Sequence, residues 1–165
     1  MALKMSTRAG LAAALSLAVA GAAFAQNEPM PKGSTSAGAK AAHLRHEKFE
    51  QMGKAFKGLN DQLKKDAPAK AVVVSNAATL RTLAGQLPTW FPRGSGKEAR
   101  AKSEAKADIW TDAAGFNARA ANLQVQTSKL HELAQAGDMA AVRAQVRATG
   151  GACKACHEKY RDEKK

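Results

Sequence analysis

Two thiols and an imidazole fall within five residues of this chain, in the order Cys153-Lys154-Ala155-Cys156-His157, a C-x-x-C-H pattern. On a helix, Cys153 and Cys156 share one face, so both sulfurs can reach the two vinyl groups along one edge of a porphyrin. His157 follows directly, and its imidazole can turn under the ring to bind iron axially. This is the c-type haem attachment pattern, and it predicts one covalently bound haem c. Three other chemistries use the same residue types. A thioredoxin-like redox pair belongs in a βαβ setting. A zinc site needs four ligands, and no second Cys/His pair at finger spacing exists. A pair of buried free thiols leaves His157 unexplained.

The element that must carry the motif is written in the residues before it. Val142, Val146, Thr149, Cys153, Cys156 and Tyr160 recur at intervals of three and four, an amphipathic helical stripe. Three further stripes precede it. The first is Arg45, Phe49, Met52, Phe56, Leu59 and Leu63; the second is Val73, Ala77, Leu80, Ala84 and Leu87. The third runs through Ile109, Ala113, Phe116, Ala120, Leu123, Thr127, Leu130 and Ala134. Asp66-Ala67-Pro68 offers a cap and a first-turn proline for the second helix. Gly137-Asp138 reads as a helix stop followed by an N-cap. Pro88, Pro92, Gly94 and Gly96 break the pattern in a loop that also holds Trp90 and Phe91. The expected fold is all-α, an antiparallel four-helix bundle over residues 40–165 with haem attached near the C-terminus.

Composition agrees. Aromatic residues are only 5% of 165 residues and alanines number 38, which favours helices over a sandwich or barrel. So many seam alanines let helices approach closely, but they leave a thin apolar core that a porphyrin would fill. The formal charge is +12, which taken alone points to nucleic acid. The first 25 residues change that meaning. Lys4 and Arg8 precede an apolar run from Ala9 to Ala23, and Ala23-Phe24-Ala25 supplies a small-x-small cleavage site. That order is a Sec-type signal peptide, and its apolar run is too short to span a bilayer. The expected mature chain, from Gln26 onward, carries +10 after losing Lys4 and Arg8 and lies in the periplasm, away from nucleic acid and without a transmembrane segment. Residues 26–39 lack periodicity and read as a flexible lead-in. The basic surface suits an acidic redox partner or an anionic membrane face.

A haem motif near the C-terminal end of such a bundle resembles the class II c-type cytochromes, and cytochrome c′ most of all. The likeness runs from Leu44 to Arg161. It includes Leu80-Arg81-Thr82-Leu83, Trp90-Phe91-Pro92-Arg93-Gly94, Ile109-Trp110, Ala113-x-x-Phe116, and Gly150-Gly151 ahead of the motif with Tyr160-Arg161 after it. In this family a side chain on the first helix faces the open side of the haem, four residues after an arginine that partners a haem propionate. The matching pair here is Arg45 and Phe49. Low-spin relatives have a ligating methionine at the second position; phenylalanine cannot ligate. The resemblance therefore implies a five-coordinate, high-spin iron under an apolar distal pocket. A guanidinium in an apolar seam also asks for a buried anion, unless it snorkels out at the bundle end. Arg161, one turn after His157, has two readings: a residue of the proximal side, or a surface arginine favourable at a helix C-terminus. Gly150 and Gly151 allow close approach of the porphyrin or weaken the helix locally. Met52, on the stripe, and His46, off it, are the alternative sixth ligands of a low-spin carrier. His43 and His131 sit at polar positions, and Met139 is too far along the fourth helix to ligate.

Function follows from the open position. An apolar ring without a hydrogen-bond donor disfavours bound water and dioxygen more than nitric oxide or carbon monoxide. Peroxide cleavage needs a distal acid–base group, and Phe49 offers none. The expected activity is electron transfer, binding of small diatomic gases, or both, rather than enzymatic turnover. Relatives of this kind commonly pair as homodimers through their first two helices.

Overall fold

The computed structural model describes residues 36–162, so the expected signal peptide and most of the expected lead-in lie outside the described residues. Five α-helices follow in order: α1 (Ala37–Leu63), α2 (Lys70–Gln86), α3 (Asp108–Thr111), α4 (Ala113–Ala136) and α5 (Met139–Tyr160). A 3₁₀ turn, Leu87–Trp90, extends α2. The four long helices form the antiparallel bundle expected from the stripes. Packing runs α1 on α2, α2 on α4 and α4 on α5, while α5 touches α1 only lightly.

The stripes became the core. Val73, Ala77, Leu80, Ala84 and Leu87 are all buried, as are Leu59, Leu123, Leu130, Val142 and Val146. Thr127 and Thr149 sit on the stripes without leaving a buried hydroxyl unpaired. Thr127 donates to the Leu123 carbonyl and Thr149 to that of Gln145, both at 2.9 Å. Gln145 is buried too, and its amide donates to Gln126 Oε1 at 2.7 Å. Gly137 adopts φ +84° and ends α4 in a left-handed cap, and Asp138 accepts from the Ala141 amide at 2.9 Å to start α5.

Three local expectations change. α1 begins at Ala37, with Ser36 accepting from the Ala39 amide at 3.1 Å, so residues 37–39 of the lead-in are helical. Pro68 lies ahead of α2 rather than in its first turn; the helix starts at Lys70, and Gln62 Oε1 takes the Ala69 amide. The third stripe is broken at Asp112, which caps α4 by accepting from the Gly115 amide at 3.1 Å. Ala113 is consequently exposed while its stripe companions Ile109 and Phe116 are buried.

Candidate haem site

The motif occupies the last two turns of α5. Gly150 earns its place by contact: a Cβ there would lie 3.3 Å from Phe56 Cζ, so its absence lets α1 and α5 meet. A Cβ on Gly151 would meet open space. The same two helices touch again where Arg143 Nη2 donates to the Leu63 carbonyl at 2.8 Å, satisfying an orphan acceptor at the end of α1. These two contacts fix one antiparallel register. Extended two turns along both helices, it sets Phe49 level with His157.

Cys153 and Cys156 are unpaired and half-buried against the core. Burial pushes both thiols up, reinforced at Cys153 by its neighbour Cys156 and opposed at Cys156 by the charge of Arg119. They are therefore protonated thiols at neutral pH, the form that adds across a vinyl group. His157 is an exposed residue whose ring is partly shielded. Desolvation and then the Arg161 guanidinium hold its imidazole below the usual value, against the pull of Glu104. A neutral imidazole is the form that binds metal.

Phe49 is half-buried and opens a chain of aromatic rings. It meets Trp90 edge-on at 5.4 Å and Phe91 at 6.2 Å; Phe91 meets Phe116 at 4.9 Å, and Phe116 meets Tyr160 on α5 at 5.4 Å. Trp110 steadies this chain by donating from Nε1 to the Phe91 carbonyl at 2.9 Å. Two thiols one turn apart, a neutral imidazole, an apolar aromatic wall and the loosely packed α1–α5 seam together fit a covalent haem. A shallow cavity of about 230 Å³ beside Phe91, Trp110 and Phe116 is bounded by Arg93 and Asn117, not by the motif, so it is not where the donors converge.

Arg45 is buried and does not snorkel. Its Nη1 donates to the Trp90 carbonyl and to Ser95 Oγ at 3.2 and 2.9 Å; its Nη2 donates to the Ser95 carbonyl and Ser103 Oγ at 2.7 and 3.1 Å. The guanidinium also stacks over Phe91 at 4.6 Å. Burial, then the like charge of Arg100, lowers its pKa to about 10, which leaves it charged at neutral pH. All four terminal N–H groups are taken by protein oxygens, so a propionate would have to use Nε or displace a serine.

The other candidate ligands are dispersed. Met52 is buried in the core cluster. His46 pairs with Glu50 at 3.6 Å and His43 with Glu47 at 3.5 Å, each one turn along α1. His131 corrects the expectation of a polar position: it is buried, with Nδ1 3.4 Å from Arg81 Nη1. Met139 starts α5, far from the motif.

Sequence reasoning missed the residues that brace the site. Asp112 accepts from the Tyr160 hydroxyl at 2.9 Å and from Lys159, tying the end of α5 to the start of α4. Glu104 takes Arg161. Thr111-Asp112-x-x-Gly115 was a readable capping signal; nothing local marks Ser95, Ser103 or Glu104.

Comparison with known proteins points the same way. A family model described as Cytochrome C' matches residues 40–161. A cytochrome c′ of Rubrivivax gelatinosus is 39% identical over 98 residues, covering 59% of this chain and 74% of the relative. One of Alcaligenes xylosoxydans is 34% identical over 125 residues, 75% of this chain and 94% of the relative. A solved nitric oxide complex of a variant cytochrome c prime from Alcaligenes xylosoxidans superposes with a TM-score of 0.69 at 30% identity, covering 77% of this chain and 97% of that one.

Proposed function

The chain belongs to the cytochrome c′ family, a family of haem c proteins, and from that premise we propose that it is a periplasmic electron-transfer and gas-binding protein with five-coordinate, high-spin iron. Cys153 and Cys156 would hold the haem through thioether bonds and His157 would ligate its iron. When bound, the haem supplies a redox-active iron with one open coordination position. The chain's own residues determine what reaches it. Phe49 carries the reading: it is level with His157 on the facing helix, it has no donor atom, and Trp90 and Phe91 hold its ring edge-on. It excludes water from the distal side and offers no hydrogen bond to a bound dioxygen, which leaves nitric oxide and carbon monoxide as the favoured ligands. The nitric oxide complex of the relative supports that choice. Phe49 itself offers no acid–base group, which argues against peroxidase turnover.

Two supporting features concern location and assembly. No described helix is long and apolar enough to cross a membrane, and the export segment at residues 1–25 supports the periplasm. Leu44 on α1 and Val72 on α2 are 48% and 41% exposed, which supports a homodimer packed through those helices. The net charge of +10 from Gln26 onward supports an acidic redox partner or an anionic membrane face.

Optical and electron-paramagnetic spectra of the purified protein test the coordination. A high-spin signal is expected; a low-spin, six-coordinate iron would overturn the open site and promote Met52 or His46. Replacing Cys153 and Cys156 by alanine makes the haem extractable in acidified solvent, and haem that stays attached would refute the thioether assignment. Phe49→Ala speeds carbon monoxide binding; an unchanged rate would mean that the ring does not face the haem.

A further inference from the structure

The end of α5 is held with more care than a helix terminus requires. Arg161 donates from Nε to Glu104 Oε2 at 2.5 Å, and its Nη2 lies 2.5 Å from the same oxygen. Both side chains are more than a third exposed, and an ion pair in that setting adds little to stability. Yet the backbone locks it in place. Ala105 and Arg161 form an antiparallel bridge, flanked by Asp162 N–H to Glu104 O at 2.8 Å and Lys106 N–H to Tyr160 O at 3.0 Å. The Arg161 amide closes on the His157 carbonyl at 3.0 Å, so the guanidinium is fixed one turn beyond the imidazole. On the other side of Glu104, Ser103 is gripped by Arg45. A pair so braced and so weakly stabilising makes sense as an electrostatic fixture. The guanidinium and the carboxylate held against it bring opposite charges to the His157 side, each offsetting the field of the other.

We propose that Glu104 is a positioning residue for the haem: it holds Arg161 beside His157 and balances its charge, setting the electrostatic potential on the histidine side of the ring. The proposal rests on His157 as axial ligand. Groups around an iron-ligating histidine tune its basicity and the potential of the metal. One-electron uptake removes one positive charge from the iron, so an unbalanced Arg161 favours the ferrous state.

The test is an optical redox titration of the full haem-loaded protein at fixed ionic strength. Glu104→Gln keeps the side chain's size and removes its charge; the midpoint potential is expected to rise. Glu104→Asp keeps the charge and leaves the potential near that of the parent. Adding Arg161→Gln to Glu104→Gln brings the potential back down. Glu98→Gln, on the same loop but bonded to the Gly96 amide, serves as the charge control and leaves the potential unchanged. A potential unmoved by Glu104→Gln, or moved as far by Glu98→Gln, would overturn the proposal. Failure of the axial assignment is seen separately, as a Soret spectrum of His157→Ala identical to that of the parent protein.

Discussion

Replacing Arg45 by methionine isolates what the buried guanidinium does. Methionine keeps the apolar stem and removes four hydrogen bonds, those to the Trp90 carbonyl, Ser95 Oγ, the Ser95 carbonyl and Ser103 Oγ. Ser95 Oγ retains its own bond to the Pro92 carbonyl at 2.7 Å. That leaves the Trp90 and Ser95 carbonyls without a donor, while the Ser103 hydroxyl loses the stronger of its two. Each buried acceptor so orphaned costs about 1–3 kcal/mol. Water entering the loop recovers part of that, and relief from burying the guanidinium offsets more. A net loss of about 3 kcal/mol is expected. Guanidinium chloride unfolding of the haem-loaded protein measures it as a lowered midpoint at constant slope. Hydrogen exchange locates it, with amides of residues 91–103 exchanging faster while those of α2 and α4 hold. A double-mutant cycle with Ser103→Ala is the sharper check. The Ala105 amide also bonds to Ser103 Oγ, at 3.3 Å, but that bond is lost in both backgrounds and cancels. Coupling of about 1 kcal/mol should remain. A loss below about 1 kcal/mol, or a Ser103→Ala cost equal in both backgrounds, would refute Arg45 as the clamp of this loop.

Leu59 has no exposed surface and lies nearly three turns from Phe49, so Leu59→Ala is expected to cost about 3 kcal/mol in chemical unfolding while leaving the haem spectrum unchanged; a shifted spectrum would show that the core and the site are not separable. Gly137→Ala forces a side chain onto φ +84° and should lower stability by about 1 kcal/mol, without change in ligand binding. Lys159, then Tyr160 and the Gly115 amide, hold the Asp112 carboxyl down from 3.8 to about 2. Its folded value lies below its unfolded one, so the stability it contributes is complete above pH 4 and is lost as pH falls toward 2. Acid unfolding curves of the parent and Asp112→Asn should converge over that window; parallel curves would exclude the linkage.

What the sequence made legible is what local periodicity encodes. Val73, Ala77, Leu80, Ala84 and Leu87 were readable as one face because a helix buries every third or fourth residue, and all five are buried. The spacing of Cys153, Cys156 and His157 was readable because it is intrinsic to one helical turn. His131 was misjudged because polarity was weighed over position: it stands one turn after Thr127 on the buried face, and only Arg81, 50 residues away in sequence, explains how the ring is accommodated. Asp112 itself is a local N-cap residue type that went unread, but the contacts that reinforce it had no local sign. Its cap is reinforced by Tyr160 and Lys159 across 48 and 47 residues, and no window along the chain contains both partners. The bracing of Arg45 by Ser95 and Ser103 and of Arg161 by Glu104 is of the same kind: it lives in a loop whose shape exists only after the helices have met.

The thin seam between α1 and α5 has a kinetic meaning. Every extensive helix pair in this bundle joins long helices that follow one another along the chain, and two of the three connections, 64–69 and 137–138, are short, so those hairpins form early. Only the α1–α5 seam must bring together segments about a hundred residues apart, and it has the least contact with which to offset that loss of chain entropy. It is therefore expected to close last and to open first. The edge of the bundle that stays ajar during folding is flanked by α5, the helix that carries the two thiols, which keeps that helix within reach of whatever attaches the cofactor until the rest of the protein is already built.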